Sequence, residues 1–96
     1  MNSDLKQLTK TIKPIFQKHD VLKSSIFGSV ARGDNTEASD IDLLVELEDS
    51  KTLLDLAGLK IDLEETLNKK VNLLTYRSVH PYIQQYVDQD AVQIYG

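Results

Sequence analysis

Cysteine is absent from this chain of 96 residues, which excludes disulfide bonds and thiolate metal sites. The two histidines, His19 and His80, lie far apart in the sequence and do not have the spacing of metal ligands. We expect both at the surface or at helix ends. A metal ion bound here would therefore have oxygen ligands, which hard cations such as Mg²⁺ prefer.

Long apolar runs are also missing. No segment approaches the roughly 20 apolar residues that span a bilayer, and the first ten residues lack the apolar core of a signal peptide. We therefore expect a cytoplasmic protein with no membrane partner. Its 41% hydrophobic and 27% charged residues are typical of a folded domain, and the length predicts one domain over residues 1–96.

A surplus of basic residues is lacking as well. Eleven Lys and Arg residues against fifteen Asp and Glu residues give a formal net charge of −4. Nucleic-acid-binding domains usually have the opposite balance, because phosphate neutralisation supplies much of their affinity. Stable nucleic-acid binding is therefore not expected, and a basic protein partner suits the charge better.

Helical spacing of apolar residues predicts a first helix, with Ser3 as its candidate N-cap. Pro14 lies inside that pattern, so either the helix kinks there or a second short helix begins. The residues that define the spacing are Leu5, Leu8, Ile12, Ile15 and Phe16.

Two further helices are predicted in the second half of the chain. One extends from about Thr52 to Asn68, with Ser50 as its cap, and the other covers Val79–Tyr95 with Pro81 in its first turn. The first of these has a broad apolar stripe that would cover a sheet. The stripe consists of Leu53, Leu54, Leu56, Ala57, Ile61, Leu63 and Leu67.

Three short segments are predicted as strands: Ser25–Phe27, Asp40–Leu47 and Val71–Thr75. A turn at Gly28-Ser29 follows the first strand, and a short helical segment is predicted at Val30–Arg32. The resulting order of helices and strands predicts an α/β (α+β) fold, a small mixed sheet with helices packed on it.

The pattern G-S-x₁₀-D-x-D combines a phosphate-binding turn with a pair of carboxylates. Gly28 allows backbone N–H groups to approach a phosphate closely, Ser29 adds a hydroxyl donor, and Arg32 adds a guanidinium fork. Asp40 and Asp42 alternate on a strand, so their side chains point the same way and can hold two Mg²⁺ ions. The pattern occurs by chance in about one chain in a thousand of this length.

The stretch GSVARGDNTEASDIDLLVE resembles the core of the minimal nucleotidyltransferase (MNT) domains, which have the DNA polymerase β-like nucleotidyltransferase fold. The resemblance continues through LLDLAGLKIDLEETLNKK, VNLLTYRS and PYIQQYVDQDAVQIY, and so covers nearly the whole chain. It implies that Gly28 and Ser29 bind ATP as the triphosphate substrate and that the catalytic pair, Asp40 and Asp42, binds metal. It also implies an antitoxin that pairs with a HEPN-domain RNase toxin and transfers AMP to a toxin tyrosine.

One residue departs from the family pattern. Members of the family have a third carboxylate on the third strand, in the middle of a V-D-L-type run. This chain has Val71-Asn72-Leu73 there, so that Asn72 occupies the position of the carboxylate. Asn72 can orient a hydroxyl group but cannot act as a general base. Glu46 does not replace it, because it lies about 13 Å along the strand from Asp42.

Three functions are compatible with this pattern. The favoured one is Mg²⁺-dependent transfer of a nucleotide, most readily AMP, onto a hydroxyl group that a partner protein supplies. The alternative, which Asn72 favours, is a non-catalytic antitoxin that binds nucleotide and masks its toxin. Transfer to a small molecule such as an aminoglycoside would need an acceptor-binding domain, for which the chain shows no segment.

Overall fold

Helices and strands alternate along the chain. The computed structural model describes residues 3–96, except for the side chains of residues 3, 4 and 86. The elements are α1 (Ser3–Lys18), β1 (Val21–Phe27), α2 (Gly28–Arg32), β2 (Ile41–Leu47), α3 (Leu53–Leu67), β3 (Val71–Thr75), a 3₁₀ turn (Tyr76–Ser78), α4 (Pro81–Asp90) and β4 (Val92–Tyr95). None of the helices within residues 3–96 is long and apolar enough to cross a membrane.

The four strands form one mixed sheet in the order β3-β2-β1-β4. The β2–β3 pair is parallel, whereas β1 pairs antiparallel with both β2 and β4. A parallel pair needs a long crossover connection, which α3 provides between β2 and β3. The mixed sheet with packed helices confirms the fold class predicted from the sequence.

Alternation along β2 directs its side chains to two different cores. Ile41, Leu43 and Val45 are buried in the larger core, together with residues of α1 and α3. Leu44 faces the opposite side of the sheet and packs with Phe27 and with Val87 of α4. Both faces of β2 are therefore covered over most of its length, and its polar residues lie near its two ends.

The first helix is continuous through Pro14. Proline lacks the N–H that would bond back one turn, but Ile12 and Phe16 on either side of it are fully buried. Their packing accounts for the continuity, and the alternative of a second short helix is wrong. The N-cap predicted for Ser3 concerns a side chain outside the described residues.

The start of α3 differs from the prediction. Thr52, not Ser50, is the N-cap, and it forms a capping box in which the Asp55 carboxylate accepts a hydrogen bond from the Thr52 N–H at 2.8 Å. This bond to the ionised form lowers the pKa of Asp55. The helix ends as predicted at Asn68, which is left-handed with φ of 53°.

The inner face of α3 is also narrower than the predicted stripe. Leu59, which the prediction omitted, is fully buried together with Leu63. Leu53, Leu54 and Ile61 are instead exposed. Only one side of this helix therefore covers the sheet, although its sequence is apolar on two sides.

The predicted last helix is wrong in its last five residues. Helix α4 ends at Asp90, and Val92–Tyr95 forms β4 along the edge of β1. Strand β1 itself begins at Val21, four residues before the predicted Ser25. The extra strand gives β1 a hydrogen-bonding partner on both sides, so that β1 becomes an inner strand.

Candidate active site

The end of β1 brings the predicted phosphate-binding turn beside a carboxylate. Phe27, its last residue, pairs with Asp42 of β2, so the next residue, Gly28, lies against the Asp42 side chain. Gly28 has φ of 75°, and a Cβ placed there would collide with the Asp42 carboxylate. A side chain at this position would therefore strain the backbone and displace the Asp42 carboxylate.

The two predicted catalytic carboxylates meet Asn72 at the start of the parallel strand pair. Asp42 and Asn72 are register partners on β2 and β3. The Asn72 Nδ2 group donates to Asp42 Oδ1 at 2.8 Å and, more weakly, to Asp40 Oδ2 at 3.4 Å. The structure thus brings Asn72 into contact with both predicted catalytic carboxylates, Asp40 and Asp42.

The amide of Asn72 has two chemically different ends. Its nitrogen now faces the two carboxylates, where its hydrogens offset part of their mutual repulsion. A half-turn of the amide would present its oxygen instead, and that oxygen can act as an acceptor or a metal ligand. Asn72 can therefore suit either an ion-free or an ion-bound site, but it adds no negative charge.

Ser29 is the second residue of α2, directly after Gly28. Its carbonyl accepts from the N–H groups of Gly33 and Asp34 at 3.0 and 3.1 Å, which closes the five-residue helix. Its hydroxyl is half-buried and makes no hydrogen bond to the described part of the chain. This hydroxyl is therefore available to donate to a phosphate oxygen.

Arg32 already binds carboxylates. Its Nη1 donates to Asp90 at 2.7 Å and its Nε donates to Asp34 at 3.1 Å. These hydrogen bonds, led by the one to Asp90, raise the pKa of the guanidinium. A phosphate would have to use the remaining donors of Arg32 or displace one of these carboxylates.

The two carboxylates that bind Arg32 were not predicted from the sequence. Asp34 lies two residues away, and a charge pair at that spacing could have been suggested. Asp90 is 58 residues away and lies at the end of a helix that was predicted to continue. Nothing in the local sequence pattern indicates this long-range ion pair.

Both histidines lie at helix ends, as expected. His19 follows α1, and its Nε2 lies 2.6 Å from an Asp62 carboxylate oxygen of α3. His80 is the N-cap of α4, where its Nδ1 accepts from the Tyr82 N–H at 3.2 Å. Each histidine therefore has a structural role at the end of a helix.

The donor set of the site suits Mg²⁺ together with a nucleotide. Asp40, Asp42 and the amide oxygen of Asn72 are hard oxygen donors within one small volume. Among the described residues, no cluster of three or more carboxylate or histidine side chains could hold an ion. Mg²⁺ commonly binds with one or two carboxylates plus substrate phosphates, so the residues present fit that mode of binding.

Comparison with known proteins agrees with this geometry. The family model described as "Polymerase beta, Nucleotidyltransferase" matches residues 10–96. The chain belongs to this nucleotidyltransferase family. A Methanocaldococcus jannaschii protein, provisionally named a protein adenylyltransferase, is 46% identical over 91 residues, which cover 95% of this chain and 98% of that protein.

Two solved structures show the same fold. A structure provisionally described as a minimal nucleotidyltransferase superimposes with a TM-score of 0.77 at 36% identity, covering 93% of this chain and 91% of that one. A second structure contains a tri-AMPylated Shewanella oneidensis HEPN toxin in complex with its MNT antitoxin. It superimposes with a TM-score of 0.72 at 22% identity, covering 95% of this chain and 71% of that one. At that identity, the second likeness concerns the fold.

Proposed function

We propose that this nucleotidyltransferase is an antitoxin that moves AMP from ATP, with Mg²⁺, onto a tyrosine hydroxyl of a partner HEPN-domain toxin. The observation that carries the proposal is the convergence of Asp40, Asp42 and Asn72 beside the turn at Gly28. The protein adenylyltransferase name of the Methanocaldococcus relative and the AMPylated HEPN toxin of the Shewanella complex support the choice of nucleotide and partner.

The proposed reaction forms one bond and breaks another. The acceptor oxygen bonds to the α-phosphorus of ATP, the bond from that phosphorus to the bridging oxygen breaks, and pyrophosphate leaves. The acceptor hydroxyl loses its proton to solvent or to a base. In this scheme Gly28 and Ser29 bind the triphosphate through a backbone N–H and a hydroxyl donor, and Arg32 contributes its free donors.

Asp40 and Asp42 would hold Mg²⁺, with the amide oxygen of Asn72 as a further ligand. The ion, when bound, supplies charge neutralisation for the triphosphate and for the leaving pyrophosphate. The residues of the chain orient the α-phosphorus in front of the acceptor. This positioning removes much of the entropic part of the barrier.

Asn72 makes tyrosine the best acceptor. A positioned general base contributes about 10²–10⁴ in rate, and an amide cannot supply it. A tyrosine phenol loses its proton near pH 10, far more readily than an aliphatic hydroxyl. Transfer to tyrosine therefore depends least on the missing base, and its rate should rise with pH.

A masking antitoxin that binds nucleotide without transferring it is the second candidate. The hydrogen bonds from Asn72 to both carboxylates favour it, because they relieve the repulsion between Asp40 and Asp42 without a cation. The two candidates differ in a covalent product. Intact-mass spectrometry of the partner therefore distinguishes between them.

The test incubates a HEPN-domain protein from a neighbouring reading frame with this protein, ATP and Mg²⁺, from about pH 6.5 to about pH 9. We expect a mass gain of one or more AMP groups on tyrosine, at a rate that rises with pH. Asp42→Asn should abolish the gain. Asp20→Asn, which alters an exposed carboxylate between α1 and β1 at a left-handed position that asparagine also adopts, is the matched control and should leave the mass gain unchanged.

The same experiment includes Asn72→Asp, which restores a carboxylate at the position of the departure. This variant should transfer AMP faster and with a flatter pH dependence, because a protein base replaces solvent. Equal rates for the variant and the wild type would mean that position 72 is not the site of the base. No transfer by the wild type at any pH, with ATP still bound, would favour the masking antitoxin.

A further inference from the structure

Helix α3 presents a second apolar stripe to solvent. Leu53 and Leu54 are 83% and 82% exposed, Ile61 is 54% exposed, and Ala57 is also exposed. We call these four residues the outer face of α3. Their spacing of three or four residues along a helix aligns them on one side, away from the buried Leu59 and Leu63.

This stripe is unusual for a helix that covers a sheet. The solvent side of such a helix normally carries polar residues, and single exposed apolar residues are scattered. Here Leu53 and Leu54 in the first turn and Ile61 about two turns later are all more than half exposed. An aligned, exposed stripe of this kind marks a surface that another molecule covers.

A cavity continues the outer face at the start of α3. It has a volume of about 320 Å³ and lies between the loop after β2 and the 3₁₀ turn. Leu53 and Leu56 line it from α3, and Tyr76 and Arg77 line it from the 3₁₀ turn. The outer face and this cavity together suit a helix that inserts one apolar side chain into the cavity.

The charge around this surface decides between two classes of occupant. The segment from Glu48 to Asn68 contains six carboxylates and only two lysines. Its excess of four negative charges equals the formal net charge of −4 of the whole chain. One of the two lysines, Lys51, is bound to Asp20 at 3.2 Å, and one of the carboxylates, Asp62, is bound to Lys18 at 3.2 Å. Arg77, which lines the cavity, adds a positive charge, and the surface stays acidic, with a smaller excess, when these two cations are included.

This concentration of acidic residues disfavours a second copy of the chain. In a symmetric dimer the same acidic surface would face itself, and like charges across an interface oppose association. Lysine and arginine residues of a different protein would instead be attracted to it. The shape of the outer face also suits a helix. The small side chain of Ala57 lies between Leu54 and Ile61 and leaves a groove, into which a row of side chains of a second helix could pack.

We infer that the outer face of α3 binds an amphipathic helix of another protein, whose apolar stripe is flanked by lysine and arginine. The inference goes beyond the proposed function and does not require nucleotide transfer. Helix α3 packs on the face of the sheet with Ile41 and Leu43, whereas Asp42 alternates to the opposite face. A partner bound to α3 therefore leaves the nucleotide site open.

The test is a titration of the full-length ¹⁵N-labelled protein, followed by NMR, with a synthetic helical peptide that has a leucine stripe flanked by lysines. We expect chemical-shift changes concentrated at residues 53–61. The double variant Leu54→Gln/Ile61→Gln should bind the peptide at least about tenfold more weakly. Leu22→Gln removes an apolar side chain of β1 that is 48% exposed, and this matched control should bind as the wild type does.

A second peptide, with glutamates in place of the lysines, tests the charge argument and should not bind measurably. Equal binding of both peptides, or equal binding by the double variant and the wild type, would overturn the inference. So would a wild-type dimer in sedimentation experiments that becomes monomeric in the double variant, since the face would then join two copies. The single variant Ile61→Gln repeats the comparison if the double variant does not fold.

A titration with Mg²⁺–ATP in the same spectra keeps the two proposals apart. The proposed function expects shifts at Gly28, Ser29, Asp40 and Asp42, which are distant from residues 53–61 along the chain. The Asp42 side chain also lies on the face of β2 opposite the one that α3 covers. Loss of the ATP-dependent shifts alone would overturn the nucleotide site and leave peptide binding by α3 intact. Loss of the peptide-dependent shifts alone would overturn the α3 surface.

Discussion

At the scale of single residues, Gly28 determines how closely the backbone and the Asp42 carboxylate approach each other. Two glycines border α2 with similar backbone conformations, Gly28 with φ of 75° and Gly33 with φ of 82°. Only Gly28 lies against a carboxylate, whereas Gly33 is exposed. Comparison of an alanine at position 28 with an alanine at position 33 therefore separates the effect of backbone strain from the effect of crowding against Asp42.

We expect Gly33→Ala to destabilise the protein by about 1 kcal/mol, because it places a side chain at positive φ. Gly28→Ala should destabilise the protein further, because its Cβ also collides with the Asp42 carboxylate. Only Gly28→Ala should also lose the rise in Tm that Mg²⁺–ATP produces, since its methyl group displaces Asp42. Thermal melting with and without Mg²⁺–ATP measures both effects. Retention of the full ATP-dependent rise by Gly28→Ala would show that the turn does not belong to the nucleotide site.

The core of the site could be predicted at this scale, because its residues follow a short local pattern. Gly28, Asp40 and Asp42 lie within fifteen residues of each other, and Asn72 occupies a recognisable place in the next predicted strand. The structure brings them together in that arrangement. Asp90 could not be predicted, since its contact with Arg32 depends on how α4 lies on the sheet.

At the scale of elements, β2 and β3 were predicted closely because their apolar residues are continuous and turn residues bound them. Strand β1 was predicted to begin only at Ser25, because Lys23 and Ser24 separate Val21 and Leu22 from the apolar end of the strand. Ser24 and Ser25 are nevertheless both buried. Their hydroxyls bind the Leu44 carbonyl and the Tyr76 hydroxyl, at 2.7 Å in each case. The two serine side chains can be buried because each has a hydrogen-bond partner. Both partners are distant in the sequence and are brought near only by the tertiary fold.

Strand β4 could not be predicted from the sequence for a different reason. No glycine or proline separates α4 from Val92–Tyr95, so the sequence contains no local signal that the helix ends. The segment VQIY has strand-forming residues, but four residues do not specify a strand without a partner. The free edge of β1 provides that partner, and tertiary pairing overrides the helical continuation.

Asp62 connects α3 to the end of α1. Its carboxylate binds His19 at 2.6 Å and Lys18 at 3.2 Å. These bonds, led by the one to His19, lower the pKa of Asp62 from its ordinary value of 3.8. Because the folded-state pKa is lowered, the stabilisation is complete above the ordinary value and is lost as the pH falls through the folded value.

Asp62→Asn should therefore lower Tm at pH 5 and above, and the difference from the wild type should shrink towards zero as the pH falls below 3.8. Thermal melting across this range measures the difference. Asp49→Asn, at an exposed carboxylate that has no ion pair within the described residues, should show no such dependence. A difference between Asp62→Asn and the wild type that persists at low pH would contradict the assignment to the ionised carboxylate.

At the scale of the whole molecule, an ion pair connects the candidate nucleotide site to the last helix. Arg32 ends α2, which begins with Gly28 and Ser29 of the predicted phosphate-binding turn. Asp90 ends α4, which packs on the same face of the sheet as Asp42. The Asp90 side chain is only 11% exposed, so it is well placed to hold the guanidinium. The proposed phosphate binding by Arg32 and the attachment of α4 to α2 therefore use the same guanidinium group.

Asp90→Asn tests whether the ion pair of Arg32 with Asp90 competes with binding of a phosphate by Arg32. Removal of the charge should lower Tm, because the bond between α2 and α4 weakens. It should also tighten ATP binding, on the order of fivefold, because Arg32 is released to reach a phosphate. Asp34→Asn, which removes the more exposed partner, should change both quantities less.

Calorimetric titration of ATP with Mg²⁺ into the two variants and the wild type measures the change in affinity, and thermal melting measures the change in stability. Opposite signs for the two changes in Asp90→Asn would mean that stability and nucleotide affinity compete for Arg32. If ATP affinity instead falls together with Tm, Arg32 does not bind phosphate. Its function would then be to hold the turn at Gly28 and Ser29 against α4, and nucleotide affinity would depend on that attachment.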